Sequence, residues 1–395
     1  MLSKSSEDAA RKTAEALGTL RGLAAKVGQM ASYVDGVVPE QHREAYETAM
    51  SRLRAAAPKS NIGEVRALVE QQLGAPIDRL FEEWDDEPIA SASIGQVHRA
   101  RVSSIDVAVK VQHPGITKAL ESDLQNAGII EQMAGVFGAR RFDSKGMLAV
   151  IRARFGEELD YELEAERLRF FKKLHAGDAF ANVPAVVGDR SSKRVLTTEL
   201  VRGITFEEAC KASVTEREAW ARTLWRFVFR SNLVGGLFNA DPHPGNYIFH
   251  EHGRVSFLDF GCVQPIALEN RRSAAKMHDA AMRRDEAAFR DGARALIGTR
   301  PGKMEDLMFD YVRLTFSPLF ESPFHVTRSF AASCVDGFKE MGAAARKLKD
   351  DEVTPVSPDL FFINRLQFGF YSVLARLDVT LDYAEIERGF LHEVD

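Results

Sequence analysis

At 395 residues the chain can form one large two-lobed domain or two ordinary ones, and a hydrophobic content of 45% suffices for a sizeable core. A net charge of −5 gives no electrostatic case for nucleic acid, which would need a basic footprint. Three cysteines (Cys210, Cys262 and Cys334) are too few and too far apart for a disulfide framework, which points to a reducing, cytoplasmic setting. The ten histidines are scattered without metal-ligand spacing, the polar N-terminus lacks the apolar core of a signal peptide, and no apolar run is long enough to span a bilayer. Peripheral membrane contact stays open.

Residues 7–34 read as a helix. Leu17, Leu20, Ala24, Val27, Ala31 and Val34 form one apolar stripe, while Gly18, Gly22, Ala25 and Gln29 form a small-residue face with Lys26 at its edge. Each interior glycine costs about 1 kcal/mol relative to alanine, so a second element is expected to approach that face closely. Pro39 marks a break, a second helix follows over about 40–56, and Asn61-Ile62-Gly63-Glu64 has the form of a capping box opening a third helix to Leu73. From 81 to 112 the pattern is strand. The alternation in 105–111 predicts one strand, with 95–102 as its hairpin partner. Helical periodicity returns over 117–138 and 146–175, a short strand covers 194–200, and beyond 206 the pattern is mainly helical except at 236–263. The predicted order is a helical extension (1–75), a sheet-bearing lobe (76–200) and a helical lobe (201–395).

The most informative stretch is Asp241-Pro242-His243-Pro244-Gly245-Asn246, followed by Asp259-Phe260-Gly261. Either piece alone would be an ordinary turn, rich in the residues turns favour. Together, in this order and separated by an apolar run, they have the layout of a kinase catalytic loop and its metal-binding aspartate. Phosphoryl transfer needs a carboxylate near the attacking oxygen and oxygen ligands that hold magnesium against phosphates. Asp241 fits the first role, Asn246 and Asp259 the second. A lysine on a small-lobe strand must hold the α- and β-phosphates, and Val107-Ala108-Val109-Lys110 supplies Lys110 in that context. Its glutamate partner must come from the acidic run 157–166, whose composition does not say which carboxylate turns inward. Where typical kinases carry a glycine-rich loop, this chain has Ala90-Ser91-Ala92-Ser93. The small side chains still admit phosphate but give up the φ freedom of glycine.

Lys26-Val27-Gly28-Gln29, the alanine-serine loop, Val107 to Lys110, Glu158-Leu159-Asp160, Asp241 to Asn246 and Asp259-Phe260-Gly261 together resemble the UbiB (AarF) group of atypical kinase-like proteins, over about residues 15–380. The resemblance implies an α+β, bilobal kinase-like fold: a small sheet-bearing lobe, a mainly helical lobe, and an N-terminal helical extension over the active site. It implies that Glu164 pairs with Lys110 and that Glu158 and Asp160 meet Lys26, with Lys26 and Gln29 covering the site. It also implies that Ala90, Ser91, Ala92 and Ser93 line the phosphates and that the backbone of Glu199 and Val201 contacts adenine. The implied cofactors are ATP or ADP with Mg2+. The implied activity is that of a Mg-dependent ATPase or a small-molecule or lipid kinase supporting ubiquinone or isoprenoid-lipid metabolism. A lipid or isoprenoid small molecule is the further partner it raises.

Two departures qualify the match: the loop reads A-S-A-S where many members have three alanines before the serine, and no membrane-spanning C-terminal segment is visible. In keeping with the family, no A-P-E motif follows Gly261, so an ordinary peptide-docking activation segment is not indicated. The rival reading is a non-catalytic nucleotide switch acting on a lipid or protein partner. Phenylalanines 309, 316, 320, 324, 330, 361, 362, 368 and 370 read as core rather than as an isoprenoid groove, and Cys262 as a small packing residue.

Overall fold

The computed structural model describes residues 60–91, 94–118, 156–239, 241–349, 352 and 359–394. The helices expected over 7–34 and 40–56, nearly all of the one over 117–138 and the start of the one over 146–175 lie outside these residues, as do Lys26, Gln29, Ala92 and Ser93. The chain divides into two compact units, Met1–Lys172 with Pro184–Arg202 and Asp259–Gly261, and Lys173–Val183 with Gly203–Leu258 and Cys262–Asp395.

In chain order the elements are helices α1 (Ile62–Leu73) and α2 (Ile77–Leu80), then strands β1 (Glu83–Trp84), β2 (Ala90–Ser91), β3 (Gly95–Val102) and β4 (Ile105–Gln112). Helix α3 (Tyr161–Leu174), strands β5 (Ala181–Asn182) and β6 (Val195–Glu199), and helices α4 (Phe206–Ala209) and α5 (Val214–Arg230) follow. Next come β7 (Leu237–Asn239), β8 (Tyr247–Phe249), β9 (Val255–Phe257) and β10 (Val263–Pro265), then α6 (Leu268–Met282), α7 (Glu286–Ile297), α8 (Lys303–Thr315) and α9 (Ser317–Phe320). The chain closes with β11 (Phe324–His325), α10 (Arg328–Ala345), α11 (Asp359–Leu377), β12 (Thr380–Leu381) and α12 (Tyr383–Arg388).

The first unit is an antiparallel sheet with β4 in its interior. β4 pairs with β3 from Ile105↔Val102 to Gln112↔Gly95, and with β6 from Val107↔Glu199 to Val111↔Val195. The β3–β4 loop is two residues, Ser103 and Ser104, both at positive φ, as the twist of a tight hairpin requires. Alternation puts Val107, Val109 and Val111 on one face, fully buried against Val65, Leu68 and Val69 of α1 and against Ile77, Leu80 and Phe81. Lys110 therefore points to the other face. The Asn61 side chain caps α1 by accepting from the N–H groups of Gly63 (2.9 Å) and Glu64 (3.4 Å), and Gly74 ends it at φ 76.

In the second unit, α5 begins with a full capping box at Ser213 and Glu216 and buries Trp220, Leu224, Trp225 and Phe227. A π turn over Ser231–Gly235 leads to Gly236 at φ 67, where a side chain would also press on Arg271. That reversal starts β7 and the chain into the Asp241 loop. The described phenylalanines of the C-terminal region pack among rings: Phe289 meets Phe309, Phe316 and Phe320 at centroid separations of 5.9, 5.0 and 4.9 Å, and Phe324 meets Phe330. Of these, Phe289 and Phe320 are buried core while Phe309, Phe316, Phe324 and Phe330 are half-buried, and Cys262 is buried. Phe361 and Phe362 lie outside the residues whose side chains are described.

Candidate active site

Lys110 projects from the middle of β4 toward α3. Helix α3 turns Tyr161, Glu164, Ala165, Leu168 and Phe171 inward, an i, i+3, i+4, i+7 stripe. That stripe settles which carboxylate of the helix faces in. The Glu164 side chain is 2% exposed and accepts from Lys110 Nζ through both oxygens, at 2.9 and 3.0 Å. Lys110 Nζ also reaches Asp259 Oδ2 at 3.2 Å, and the ring of Tyr161 lies 5.1 Å from the ammonium. Burial alone would lower the Lys110 ammonium, but the charges of Asp259 and Glu164 outweigh it and hold it well above its ordinary value. Burial pushes Glu164 upward, opposed by Lys110. The group is thus one cation clamped by two carboxylates.

Asp259 is held for exposure toward a ligand. Oδ1 accepts the Gly261 N–H at 2.9 Å and Oδ2 accepts from Lys110, while about a third of the side chain is exposed. A partly exposed carboxylate suits a cation such as Mg2+, which takes one or two carboxylates and completes its shell with phosphate and water oxygens. Phe260 is fully buried and packs on Phe171 of α3 at 4.4 Å between centroids.

Elsewhere in the first unit, Ala90 and Ser91 form β2, paired to Val97 and Gln96 of β3. The Ser91 hydroxyl is buried and has no hydrogen-bond partner among the described residues. Just beyond, Gly95 is obligatory: a Cβ there would lie 2.5 Å from the Val111 carbonyl oxygen and 2.7 Å from the Tyr161 hydroxyl. At the end of β6 the Glu199 N–H donates to Ala185 O at 2.9 Å, so the backbone group Glu199 can offer a ligand is its carbonyl. Val201 lies two residues on, after Leu200, outside any helix or strand.

Glu158 is buried, and Asp160 has a local role that spacing did not suggest. Its Oδ1 accepts from the N–H groups of Glu162 (3.1 Å) and Leu163 (3.2 Å), capping α3, and Oδ2 lies 3.6 Å from Lys193. The Lys26 that the resemblance assigns to these two carboxylates lies outside the described residues. Tyr161 under the lysine, and Arg167 one turn beyond Glu164, are the site neighbours that motif matching passed over. Helical spacing from Glu164 was the signal that could have found both.

In the second unit the Asp241 loop braces itself. The Asp241 N–H donates to Asn239 Oδ1 at 3.2 Å, Asn246 Nδ2 to Asp241 O at 3.2 Å, and the Asn246 N–H to His243 O at 2.9 Å. His243 Nδ1 accepts from Gly245 at 3.0 Å, which sets its tautomer, and a single 3-10 turn spans Pro244–Asn246. The Leu258 N–H donates to Asn246 O at 3.0 Å, tying the loop to the end of β9. Among the described residues no group of three or more His, Cys, Asp or Glu is arranged to hold a metal by itself, and no helix is long and apolar enough to cross a membrane.

The ABC1 atypical kinase-like domain matches residues 52–291. The chain is 33% identical over 263 residues to the Caenorhabditis elegans protein named atypical kinase coq-8, mitochondrial, a match covering 65% of this chain and 34% of that one. It is 31% identical over 263 residues to rat atypical kinase COQ8B, mitochondrial, covering 66% and 49%. The chain thus spans between a third and a half of the curated relatives it matches. A Mycobacterium tuberculosis protein solved as a complex with erythromycin superposes with a TM-score of 0.65 at 26% identity, over 98% of this chain and 96% of that one. The fold is kinase-like, and the chain belongs to the ABC1 (UbiB) family of atypical kinase-like proteins.

Proposed function

We propose that this protein binds ATP with Mg2+ and acts as an ATPase or as a small-molecule or lipid kinase, in support of ubiquinone or another isoprenoid-lipid metabolism. The observation that carries this reading is the clamped cation, with Lys110 held at 2.9–3.2 Å by the carboxylates of Glu164 and Asp259. Beside the buried Glu164, Asp259 leaves about a third of its side chain exposed, as a group that meets a bound ligand must. A lysine with its charge secured in this way is ready to bind phosphate oxygens.

Lys110 would hold the α- and β-phosphates and Glu164 would keep it in place. Ala90, Ser91, Ala92 and Ser93 would border the phosphates, and the Glu199 carbonyl and Val201 N–H would take the adenine edge. Asp259 and Asn246 would hold Mg2+, which when bound offsets charge on the phosphates. Asp241 would accept the proton of the attacking hydroxyl or water. Lys26 and Gln29, with Glu158 and Asp160, would occlude the place where a peptide substrate docks in ordinary kinases, which favours a small acceptor or water over protein.

The test is phosphate release from ATP by the wild type, Asp241→Asn and Asp259→Asn, with and without liposomes. Turnover in the wild type, lost in Asp241→Asn while nucleotide binding persists, is the expected result. Tight binding without turnover under every condition would instead support a nucleotide switch. A nucleotide-induced rise in melting temperature that Asp259→Asn leaves intact would defeat the metal assignment.

A further inference from the structure

We propose that Arg167 is a positioning residue for metal–nucleotide binding, setting the Phe260–Gly261 turn that presents Asp259 while itself being set by Glu157. The assignment rests on the nucleotide-binding reading above. Arg167 lies three residues after Glu164 on α3, on the same side of the helix. Its Nη1 donates to Gly261 O at 2.9 Å and more weakly to Phe260 O at 3.5 Å, and its Nη2 donates to Glu157 Oε2 at 2.5 Å. The side chain is 11% exposed. A cation so far removed from water needs partners that match its shape, and a planar guanidinium can serve two carbonyls and a carboxylate at once where an ammonium could not.

What Arg167 holds is the backbone on which Asp259 depends. Asp259 Oδ1 is oriented by the Gly261 N–H, and the carbonyl of that same glycine is the one Arg167 grips. The turn is further fixed to α3 by the Phe260 N–H bonded to Glu164 and by the Phe260 ring on Phe171. One helix therefore holds Lys110 through Glu164 and the metal-ligand turn through Arg167. Without the guanidinium, the carbonyls of two buried residues lose a donor and the turn can rotate, taking the Asp259 carboxylate with it. Glu157 directly precedes Glu158, so the acidic segment and the metal-ligand turn are joined through one side chain.

The experiment is binding of a fluorescent ATP analogue to the full chain, titrated with MgCl2 and repeated in EDTA, for the wild type, Arg167→Ala, Arg167→Lys and Glu157→Gln. Partners that orient a metal ligand are worth tenfold or more in metal affinity, so Arg167→Ala should raise the Mg2+ concentration for half-maximal binding about tenfold. Binding in EDTA should stay within about twofold of wild type, Arg167→Lys should recover part of the loss, and Glu157→Gln should shift the midpoint in the same direction by less. A variant that melts earlier but keeps the wild-type Mg2+ midpoint makes Arg167 a packing residue only and overturns the proposal. So does an equal loss with and without metal. Should Arg167→Ala fail to fold, the lysine and Glu157 variants decide by the same midpoint. A wild type that binds no nucleotide removes the functional reading, whereas wild-type binding with Mg2+ midpoints that none of the variants shifts removes the Arg167 assignment alone.

Discussion

Replacing Lys110 by methionine leaves Glu164 buried with its cation gone. The Glu164 side chain is 2% exposed, and both of its contacts with the lysine are lost. Removing one member of a buried pair costs 3–5 kcal/mol, and because the Phe260 N–H still donates to Glu164, the low end, about 3 kcal/mol, applies. That cost appears as a Glu164 pKa raised further above its ordinary value, because burial favours the neutral carboxyl and the opposing charge of Lys110 is gone. A carboxyl whose folded pKa exceeds its unfolded one stabilises the fold only while protonated. Its contribution is present at low pH and is lost as pH rises through the folded value. The stability gap between the variant and the wild type should therefore widen as pH rises, toward about 3 kcal/mol once Glu164 is ionised. Urea unfolding in EDTA at pH 5, 6, 7 and 8 measures it. A gap that is flat or narrows with rising pH would refute the reasoning, because Glu164 would then not be a buried charge dependent on Lys110.

Further expectations concern neighbouring groups. Gly95→Ala should destabilise by about 3 kcal/mol in the same unfolding assay, since its Cβ meets a strand carbonyl that cannot withdraw. Tyr161→Phe, which removes a buried hydroxyl that has no hydrogen-bond partner among the described residues, should be neutral or stabilising by up to about 1 kcal/mol. In the second unit, burial lowers His175 to about 3. Its stabilising effect is thus complete above the unfolded value near 6.5 and lost as pH falls toward 3, about 4–5 kcal/mol over that window, and His175→Gln should flatten the acid limb of the stability profile. Glu387→Ala strips a fully buried carboxylate from Trp225 Nε1 (3.0 Å) and His278 Nδ1 (2.6 Å) and should cost about 2–4 kcal/mol, read as an earlier thermal transition.

The β3–β4 hairpin was legible because alternation is a local signal, while the kinase-like fold class came from the resemblance carried by the motifs. The Asn61 cap and the helix after it could be read for the same reason. The inward carboxylate of α3 was not legible from composition, since Glu162, Glu164 and Glu166 are chemically alike and only the packing stripe through Tyr161, Leu168 and Phe171 distinguishes them. The resemblance to the family supplied Glu164, and the stripe supplies its physical reason. Arg167 was invisible to motif matching because it bonds to main-chain carbonyls, which carry no residue identity. The double use of Asp160, as a helix cap and as a member of the acidic signature, was hidden for a related reason: its capping partners are backbone amides.

The interior place of β4 has a consequence for which parts of the site can move. Lys110 sits where its strand is hydrogen-bonded along both edges, opposite Val97 on one side and Leu196 on the other. Its amide should exchange with solvent only when the whole unit opens, whereas the amides of 259–261 exchange through smaller, local openings. Lys110 is then the stationary post of the clamp. Any signal that opens or closes it has to act on its partners: on the first turn of α3, whose cap is a single aspartate, or on the short turn after Asp259.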